Sequence, residues 1–194
     1  MRAAPKTADK IAAAALRLLE RGGENRVTMR RVARAVGITP MAIYHHFPSR
    51  DALLRRITDA EFEKLSNSYQ AHKRQSTPEA SVFLVVEWYL DYAFAHPRVF
   101  DYVFSRWRPD ARRLPEDFRA RQSPTLNLTA DAVSEGMSSG LLKDDDVWEV
   151  AMAIWAHVHG YVMLYRGGRF DLSQYDFRAL VHRSMRRLLD GLKT

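Results

Sequence analysis

The sequence of 194 residues lacks cysteine altogether, which excludes disulfide bonds and thiolate metal sites. It also lacks any apolar run long enough to cross a bilayer, and its N-terminal residues have no apolar centre of the secretory type. These absences lead us to expect a cytoplasmic protein that does not engage the membrane. A chain of this length can bury a substantial core without covalent cross-links.

Patterns that carry catalysis or metal binding are also missing. No Ser/His/Asp set, metal-ligand spacing or glycine-rich phosphate loop can be placed in the sequence. His157 and His159 lie two residues apart, so on a helix they point to different faces and make poor joint metal ligands. We therefore predict no catalytic residue, no metal and no cofactor, and we do not expect an enzyme.

Convincing β-strand patterns are absent as well, and helical periodicity dominates the chain. Alternating apolar and polar residues occur only in short stretches. Apolar residues instead recur every three or four positions between capping residues, glycines and prolines. We predict an all-α fold of about nine helices, at approximately residues 7–21, 28–36, 39–47, 50–75, 78–95, 97–107, 115 or 123 to 138, 147–165 and 174–192.

What the sequence does have is an uneven distribution of charge. Residues 1–56 contain 12 Lys and Arg but only 4 Asp and Glu, a net charge of +8. Residues 57–194 contain 18 and 19 respectively, a net charge of −1. A basic N-terminal module on a nearly neutral body is the electrostatic footprint of a protein that binds nucleic-acid phosphates.

The same basic segment contains two short predicted helices separated by a glycine. Thr28 and Thr39 can each cap the first turn of a helix, and Pro40 suits the first position of the second one. Gly37 ends the first of these helices, because glycine readily takes the left-handed conformation of a tight turn. The arrangement is typical of a helix-turn-helix, whose second helix enters the major groove of DNA by its N-terminal end.

Four short motifs carry a family resemblance that covers about a quarter of the chain. They are Thr28-Met29-Arg30-Arg31-Val32-Ala33, Gly37-Ile38-Thr39, Ile43-Tyr44-His45-His46-Phe47 and Arg50-Asp51-Ala52-Leu53. Residues from about Thr7 to Leu54 thus resemble the DNA-binding head of the TetR family of bacterial transcriptional repressors. Pro40-Met41 departs from the family pattern, in which Lys-Gly or Arg-Ala types are common. Further on, Trp155, His159 and Gly160 resemble the Trp-x-x-x-His-Gly signature of one C-terminal subclass.

The resemblance implies that a set of head residues touches operator DNA, mostly at phosphates: Thr28, Arg30, Thr39, Tyr44, His46 and Arg50. To these we add Pro40, Met41 and Ala42, whose apolar side chains suit thymine methyl groups, and His45 as a further base contact. Because His45 and His46 are neighbours, they would point about 100° apart on a helix. We expect one of them to face DNA and the other to pack or to reach a phosphate.

The C-terminal body is rich in aromatic residues, and we predict that some of them line a pocket for an unknown small-molecule effector. All four tryptophans lie between residues 80 and 165, and aromatic side chains are the usual lining of such pockets. Packing between helices explains most of the aromatic residues equally well, so the prediction of a pocket rests mainly on the family resemblance. The predicted ligand contacts are Trp88, Tyr92, Phe104, Trp107, Trp155 and His159.

Two apolar stripes in the last two predicted helices favour a homodimer. Their members could pack against the same pair of helices from a second copy, although packing within one chain would satisfy them too. The predicted interface residues are Val158, Val162, Val181, Met185, Leu188 and Leu189. A two-fold dimer would double the DNA contacts and match a palindromic operator in double-stranded DNA.

Together these patterns predict a helix-turn-helix DNA-binding domain over residues 1–50 and a ligand-binding and dimerisation domain over residues 51–194. The resemblance implies a repressor whose ligand changes the spacing of the two heads and so lowers operator affinity. The alternative is a helical DNA-binding activator or adaptor that senses no small molecule.

Overall fold

The computed structural model describes residues 6–72, 77–105 and 111–194, and these contain ten α-helices and no β-strand, so the predicted all-α fold is confirmed. None of the ten is both long and apolar enough to cross a bilayer. A 3₁₀ turn, Glu24–Arg26, follows the first helix. The helices are α1 (Thr7–Gly22), α2 (Met29–Val36), α3 (Pro40–Tyr44), α4 (Arg50–His72), α5 (Pro78–Ala95), α6 (Pro97–Phe104), α7 (Glu116–Arg119), α8 (Pro124–Ser138), α9 (Val147–Arg166) and α10 (Gln174–Leu192).

The helix predicted to start at residue 115 or 123 proves to be two helices, α7 and α8. The break lies at Arg121, whose φ of 58° falls in the left-handed region that interrupts a helix of L-residues. Ser123 then caps α8, because its Oγ accepts a hydrogen bond from the Leu126 N–H at 3.4 Å. Pro124 occupies the first helical position, where its missing N–H costs nothing.

The chain forms two compact units. The first comprises Met1–Lys64 with Phe94–Arg108, and the second comprises Leu65–Ala93 with Pro109–Thr194. Within the first unit, α1 packs against the 3₁₀ turn, α2 and α6, and α2 packs against α3. Within the second, α9 packs against both α8 and α10. Helix α4 is continuous and supplies residues to both units.

The core of the first unit is made of aliphatic side chains from α1, α3 and α4. Ile11, Leu19, Ile43 and Leu53 are all fully buried. Burying a side chain of this size contributes about 1.5–3 kcal/mol. The buried side chain of Ile43 anchors the short helix α3 to this core, and the opposite face of α3 remains in solvent.

The core of the second unit corrects the predicted subunit interface. Five of the six residues assigned to that interface are at most 3% exposed within the single chain: Val158, Val162, Val181, Met185 and Leu189. A side chain already removed from water has no surface left to bury against a second copy. The single chain therefore buries both stripes, with α9 packed against α8 and α10, and among the six only Leu188 is half-buried.

Charged side chains tie α5 to α10 within the second unit. Arg178 donates to Glu87 Oε2 and to Asp91 Oδ1, each at 2.5 Å. His182 contacts the same Glu87 carboxylate and stacks on Phe83, with ring centroids 5.2 Å apart. These contacts hold α5, which carries two of the predicted ligand residues, against the C-terminal helix.

Candidate functional site

Two capped helices, α2 and α3, hold the residues predicted to bind DNA. Thr28 Oγ1 accepts a hydrogen bond from the Arg31 N–H at 3.3 Å, and Thr39 Oγ1 accepts one from the Ala42 N–H at 3.2 Å. Between the two helices, Gly37 adopts φ 77° and ψ 32°, the left-handed conformation. The caps and the glycine turn predicted from the sequence are thus confirmed.

The outer face of this helix-turn-helix is exposed. Met41 is 69% exposed and Tyr44 is 49% exposed, which is unusual for apolar side chains of this size. Ala42 is half-buried. The other predicted contacts in α2, α3 and the turn after them are exposed: Thr28, Arg30, Thr39, Pro40, His45 and His46. The arrangement presents apolar and hydrogen-bonding groups together on one basic segment.

Both histidines after α3 are exposed, so of the two alternatives predicted for the second histidine, packing or reaching a phosphate, packing is not observed. The reason is that α3 ends at Tyr44, so His45 and His46 form a turn and the angular spacing of a helix does not apply. Phe47 takes the buried position instead, and its N–H donates to the Ile43 carbonyl at 2.8 Å. Both imidazoles are therefore available to a ligand of this surface.

Arg50 has a role in the fold that the sequence did not predict, because its guanidinium is directed at the protein backbone. Nε donates to the Val27 carbonyl at 2.7 Å, and Nη2 donates to the Glu24 carbonyl at 2.6 Å. The side chain is only 36% exposed. Arg50 thus has a structural role, and its predicted contact with phosphate stays a prediction. These acceptors lie 23 and 26 residues earlier in the chain, so no local pattern could indicate them.

Two arginines of α2 lie on the candidate surface although the sequence analysis did not predict them as DNA contacts. Arg31 and Arg34 are exposed, as is Arg30. Arg30 and Arg34 are four residues apart and so lie on the same face of the helix. The excess positive charge of residues 1–56 indicated which segment binds phosphates, but it did not indicate which side chains do so.

In the second unit, three polar aromatic side chains from α5 and α9 meet in one cluster. Tyr89 Oη lies 2.6 Å from His159 Nδ1, and the Trp155 indole hydrogen-bonds the Tyr89 hydroxyl. The rings of Trp155 and His159 are 5.6 Å apart. Burial raises the pKa of Tyr89 and lowers the pKa of His159. Tyr89 therefore keeps its proton, and the neutral form of the His159 imidazole is favoured.

The structure brings together only part of the predicted ligand set. Trp155 and His159 share the cluster, and Tyr89, which the sequence did not single out, joins them from 70 residues away. Tyr92 is buried and Trp88 is half-buried on the same helix as Tyr89. Phe104 belongs to the first unit, where it packs edge-on against Phe62 at 5.7 Å. The remaining predicted residue, Trp107, lies outside the described residues.

His157 and His159 have different partners, as their spacing predicts. His157 Nε2 lies 3.0 Å from Ser184 Oγ on α10, and the Tyr161 hydroxyl donates to the same Ser184 oxygen at 2.8 Å. Burial lowers the pKa of His157. Nowhere in the described ranges do three or more Asp, Glu or His side chains gather in a group that could hold a metal ion.

Comparison with known protein families matches both halves of the chain. A family model described as bacterial regulatory proteins, tetR family, matches residues 11–57. A second, described as tetracyclin repressor-like, C-terminal domain, matches residues 82–188. The nucleoid occlusion factor SlmA of Glaesserella parasuis serovar 5 (strain SH0165) is 31% identical over 77 residues, which are 40% of this chain and 38% of that protein. The similarity thus spans well under half of that relative.

Solved structures share the fold over nearly the whole chain. A protein of unknown function from Rhodococcus sp. RHA1 has a TM-score of 0.81 at 22% identity, covering 98% of this chain and 97% of that one. The transcriptional regulator FadR from Bacillus subtilis, in complex with stearoyl-CoA, has a TM-score of 0.74 at 17% identity, covering 95% and 98%. At these identities the likeness concerns the fold alone.

The histidine in the Tyr89 cluster should make the stability of the protein sensitive to acid. The folded-state pKa of His159 lies below the ordinary 6.5, so the unfolded chain binds the proton more readily. The free energy of unfolding should be greatest above pH 6.5 and fall as the pH drops from there towards the folded-state pKa. His159→Gln should make this dependence shallower in urea melts between about pH 5 and 8. A His159→Gln variant with an unchanged dependence would contradict the assignment.

Proposed function

The chain belongs to the TetR family of bacterial DNA-binding transcriptional regulators, and from that premise we propose a homodimeric repressor that a ligand releases from its operator. The ligand in this proposal is small and partly hydrophobic, and the operator is a palindrome in double-stranded DNA. Residues 1–50 bind DNA, and residues 51–194 bind the ligand and the second subunit. The observation that carries the proposal is the exposure of Met41 and Tyr44 on a capped, basic helix-turn-helix.

Phosphates and bases are contacted by different parts of the exposed surface in this proposal. Hydroxyl groups and the N–H groups of the first turns of α2 and α3 suit phosphate oxygens, as do guanidinium groups. Apolar atoms suit thymine methyl groups in the major groove. The proposed phosphate contacts are Thr28, Arg30, Thr39, Tyr44 and His46, and the proposed base contacts are Pro40, Met41, Ala42 and His45.

Met41 tests the base contact because it contributes little to the fold. We expect Met41→Ala to weaken binding to a duplex selected from a randomised library by about tenfold, since fully burying an apolar side chain of this size is worth about 1.5–3 kcal/mol. The free energy of unfolding should change by less than about 0.5 kcal/mol. Leu172→Ala is a matched control, because Leu172 is an exposed apolar residue of the second unit. Equal affinities of Met41→Ala and wild type would contradict the base contact.

A face of α9 that the described residues leave exposed supports the homodimer. Ala153 and Ala156 are exposed and Leu164 is 50% exposed. A Cβ placed on Gly160 would meet no side chain or neighbouring element of the described residues within 4 Å. Spacings of three and four residues put these positions on one side of the helix. Small residues let another helix approach closely, so we place the subunit contact here instead of at the buried stripes.

Gly160→Leu tests whether this face of α9 contacts a second subunit or stays in solvent. In a single chain the new side chain has space, and leucine favours a helix over glycine by about 0.8–1 kcal/mol. Against a second copy it would collide, so we expect the dimer dissociation constant to rise at least tenfold, corresponding to about 1–3 kcal/mol of overpacking. Sedimentation velocity measures the shift. Gly191→Leu in α10, also in open space, is the control. Dimerisation of Gly160→Leu at wild-type concentrations would exclude this face.

The cluster of Tyr89, Trp155 and His159 supports a ligand site in the second unit. It combines apolar ring faces with a hydroxyl, an indole N–H and an imidazole, which suits a molecule that is partly hydrophobic. FadR, which shares the fold, was solved with stearoyl-CoA. This makes stearoyl-CoA a reasonable first probe for the chain, alongside shorter acyl-CoA thioesters and uncharged aromatic compounds.

A ligand that acts as proposed must both bind and lower DNA affinity. We expect one probe to raise the melting temperature, because at about 100 times its dissociation constant a ligand adds about 2.7 kcal/mol of stability. The same probe should weaken binding to the selected duplex at least fivefold, the low end of allosteric couplings. The double variant Tyr89→Phe, Trp155→Phe should lose both effects, whereas Leu172→Ala should keep them. Stabilisation without loss of DNA affinity would contradict release by ligand.

A further inference from the structure

Two arginines from different helices converge on the connection between α1 and α2. Arg50, the first residue of α4, donates to the carbonyls of Glu24 and Val27 at 2.6 and 2.7 Å. Arg98, on α6, donates to the carbonyl of Glu20 at 3.2 Å and also to that of Arg21. Four carbonyls within eight residues are therefore held by two guanidinium groups. Arg50 and Arg98 together form an arginine clamp.

The clamp bonds carbonyls at the end of α1 that the helix itself leaves open, and it adds a second donor to the Glu24 carbonyl, which already accepts the Val27 N–H at 3.0 Å. The last turn of a helix has carbonyls without partners in that helix, and α1 ends at Gly22. Gly23 then turns the chain with φ 70°, in the left-handed region. The 3₁₀ turn that follows is too short to stabilise itself. Hydrogen bonds from a charged donor are stronger than neutral ones, so the guanidinium groups are well suited to fixing this path.

The position of α2 follows from the position of this connection. Val27, one of the acceptors of Arg50, is fully buried and directly precedes Thr28, the cap of α2. The first turn of α2 carries Thr28 and Arg30, two of the proposed phosphate contacts. We propose that Arg50 and Arg98 are positioning residues for DNA binding, which act by holding the first turn of α2 in place. This inference rests on the proposed phosphate contacts, because it concerns how those contacts are aimed.

Lysine distinguishes a positioning role of Arg50 from a phosphate contact. A lysine keeps the positive charge but cannot reproduce the planar fork that reaches two carbonyls. A phosphate contact would tolerate Arg50→Lys and would lose about one unit of salt slope in Arg50→Ala. Positioning predicts instead that both variants weaken binding about tenfold and lower the slope by up to about one unit, because a misplaced Arg30 no longer neutralises its phosphate. Arg30→Ala is the matched control, since it should lower the slope by about one unit.

The experiment measures binding to the duplex that the wild-type protein selects from a randomised library, from about 50 to 200 mM salt. A double-mutant cycle of Arg50→Lys with Arg30→Ala adds a second readout. If Arg50 acts by aiming Arg30, the combined loss should be smaller than the product of the two single losses. The positioning role would be overturned if the loss of affinity in the double variant equalled the product of the two single losses. It would also be overturned if Arg50→Lys bound DNA with wild-type affinity.

Amide exchange tests the clamp without DNA. The Arg31 N–H is bonded to the Thr28 side chain, so its exchange reports the first turn of α2. It should become at least fivefold faster in Arg50→Lys, and less so in Arg98→Lys because Arg98 is exposed. Exchange of amides in the core of α10 should stay unchanged, which would exclude global unfolding. Unchanged exchange at Arg31 would overturn the clamp, whereas a wild-type protein that selects no duplex would overturn the proposed function instead.

Discussion

The hydrogen bonds that satisfy the ends of α2 and α3 are the interactions on which the DNA-binding surface depends. The two helices have 8 and 5 residues, and isolated helices of this length are not stable in water. Thr28 and Thr39 accept N–H groups of the first turns, and Arg50 holds the carbonyls that precede α2. Because these ties and the buried Ile43 fix the backbone, the outward side chains need not contribute to the fold.

Features determined by neighbours a few residues apart could be predicted from the sequence. The caps, the left-handed Gly37 and the helix breaks at proline all depend on local backbone geometry, and the structure confirms them. The same holds for the helical class of the chain, since apolar spacing is a local pattern. The ends of α3 were less predictable, because Phe47 is buried from within a turn and looks like a continuation of the helical stripe.

Features that depend on distant partners could not be predicted. Arg50 bonds carbonyls 23 and 26 residues away, and Tyr89 meets His159 across 70 residues. Nothing in a local pattern distinguishes such an arginine from one that faces a phosphate. The subunit interface predicted from the apolar stripes of α9 and α10 was wrong for a related reason. A stripe shows that a face is buried, but not whether its own chain or a second copy covers it.

Helix α9 illustrates how one segment serves several surfaces at once. Val158 and Val162 pack into the core, while Trp155 and His159 join Tyr89 of α5. The uncovered side holds Ala156 and Gly160, each only one position along the chain from a member of the Tyr89 cluster. Under the proposed function, the ligand site and the subunit contact therefore lie on adjacent faces of one helix, since neighbouring residues point about 100° apart. A ligand that displaces the backbone of α9 at Trp155 or His159 must then also move the subunit contact, because neighbouring residues of a helix share that backbone.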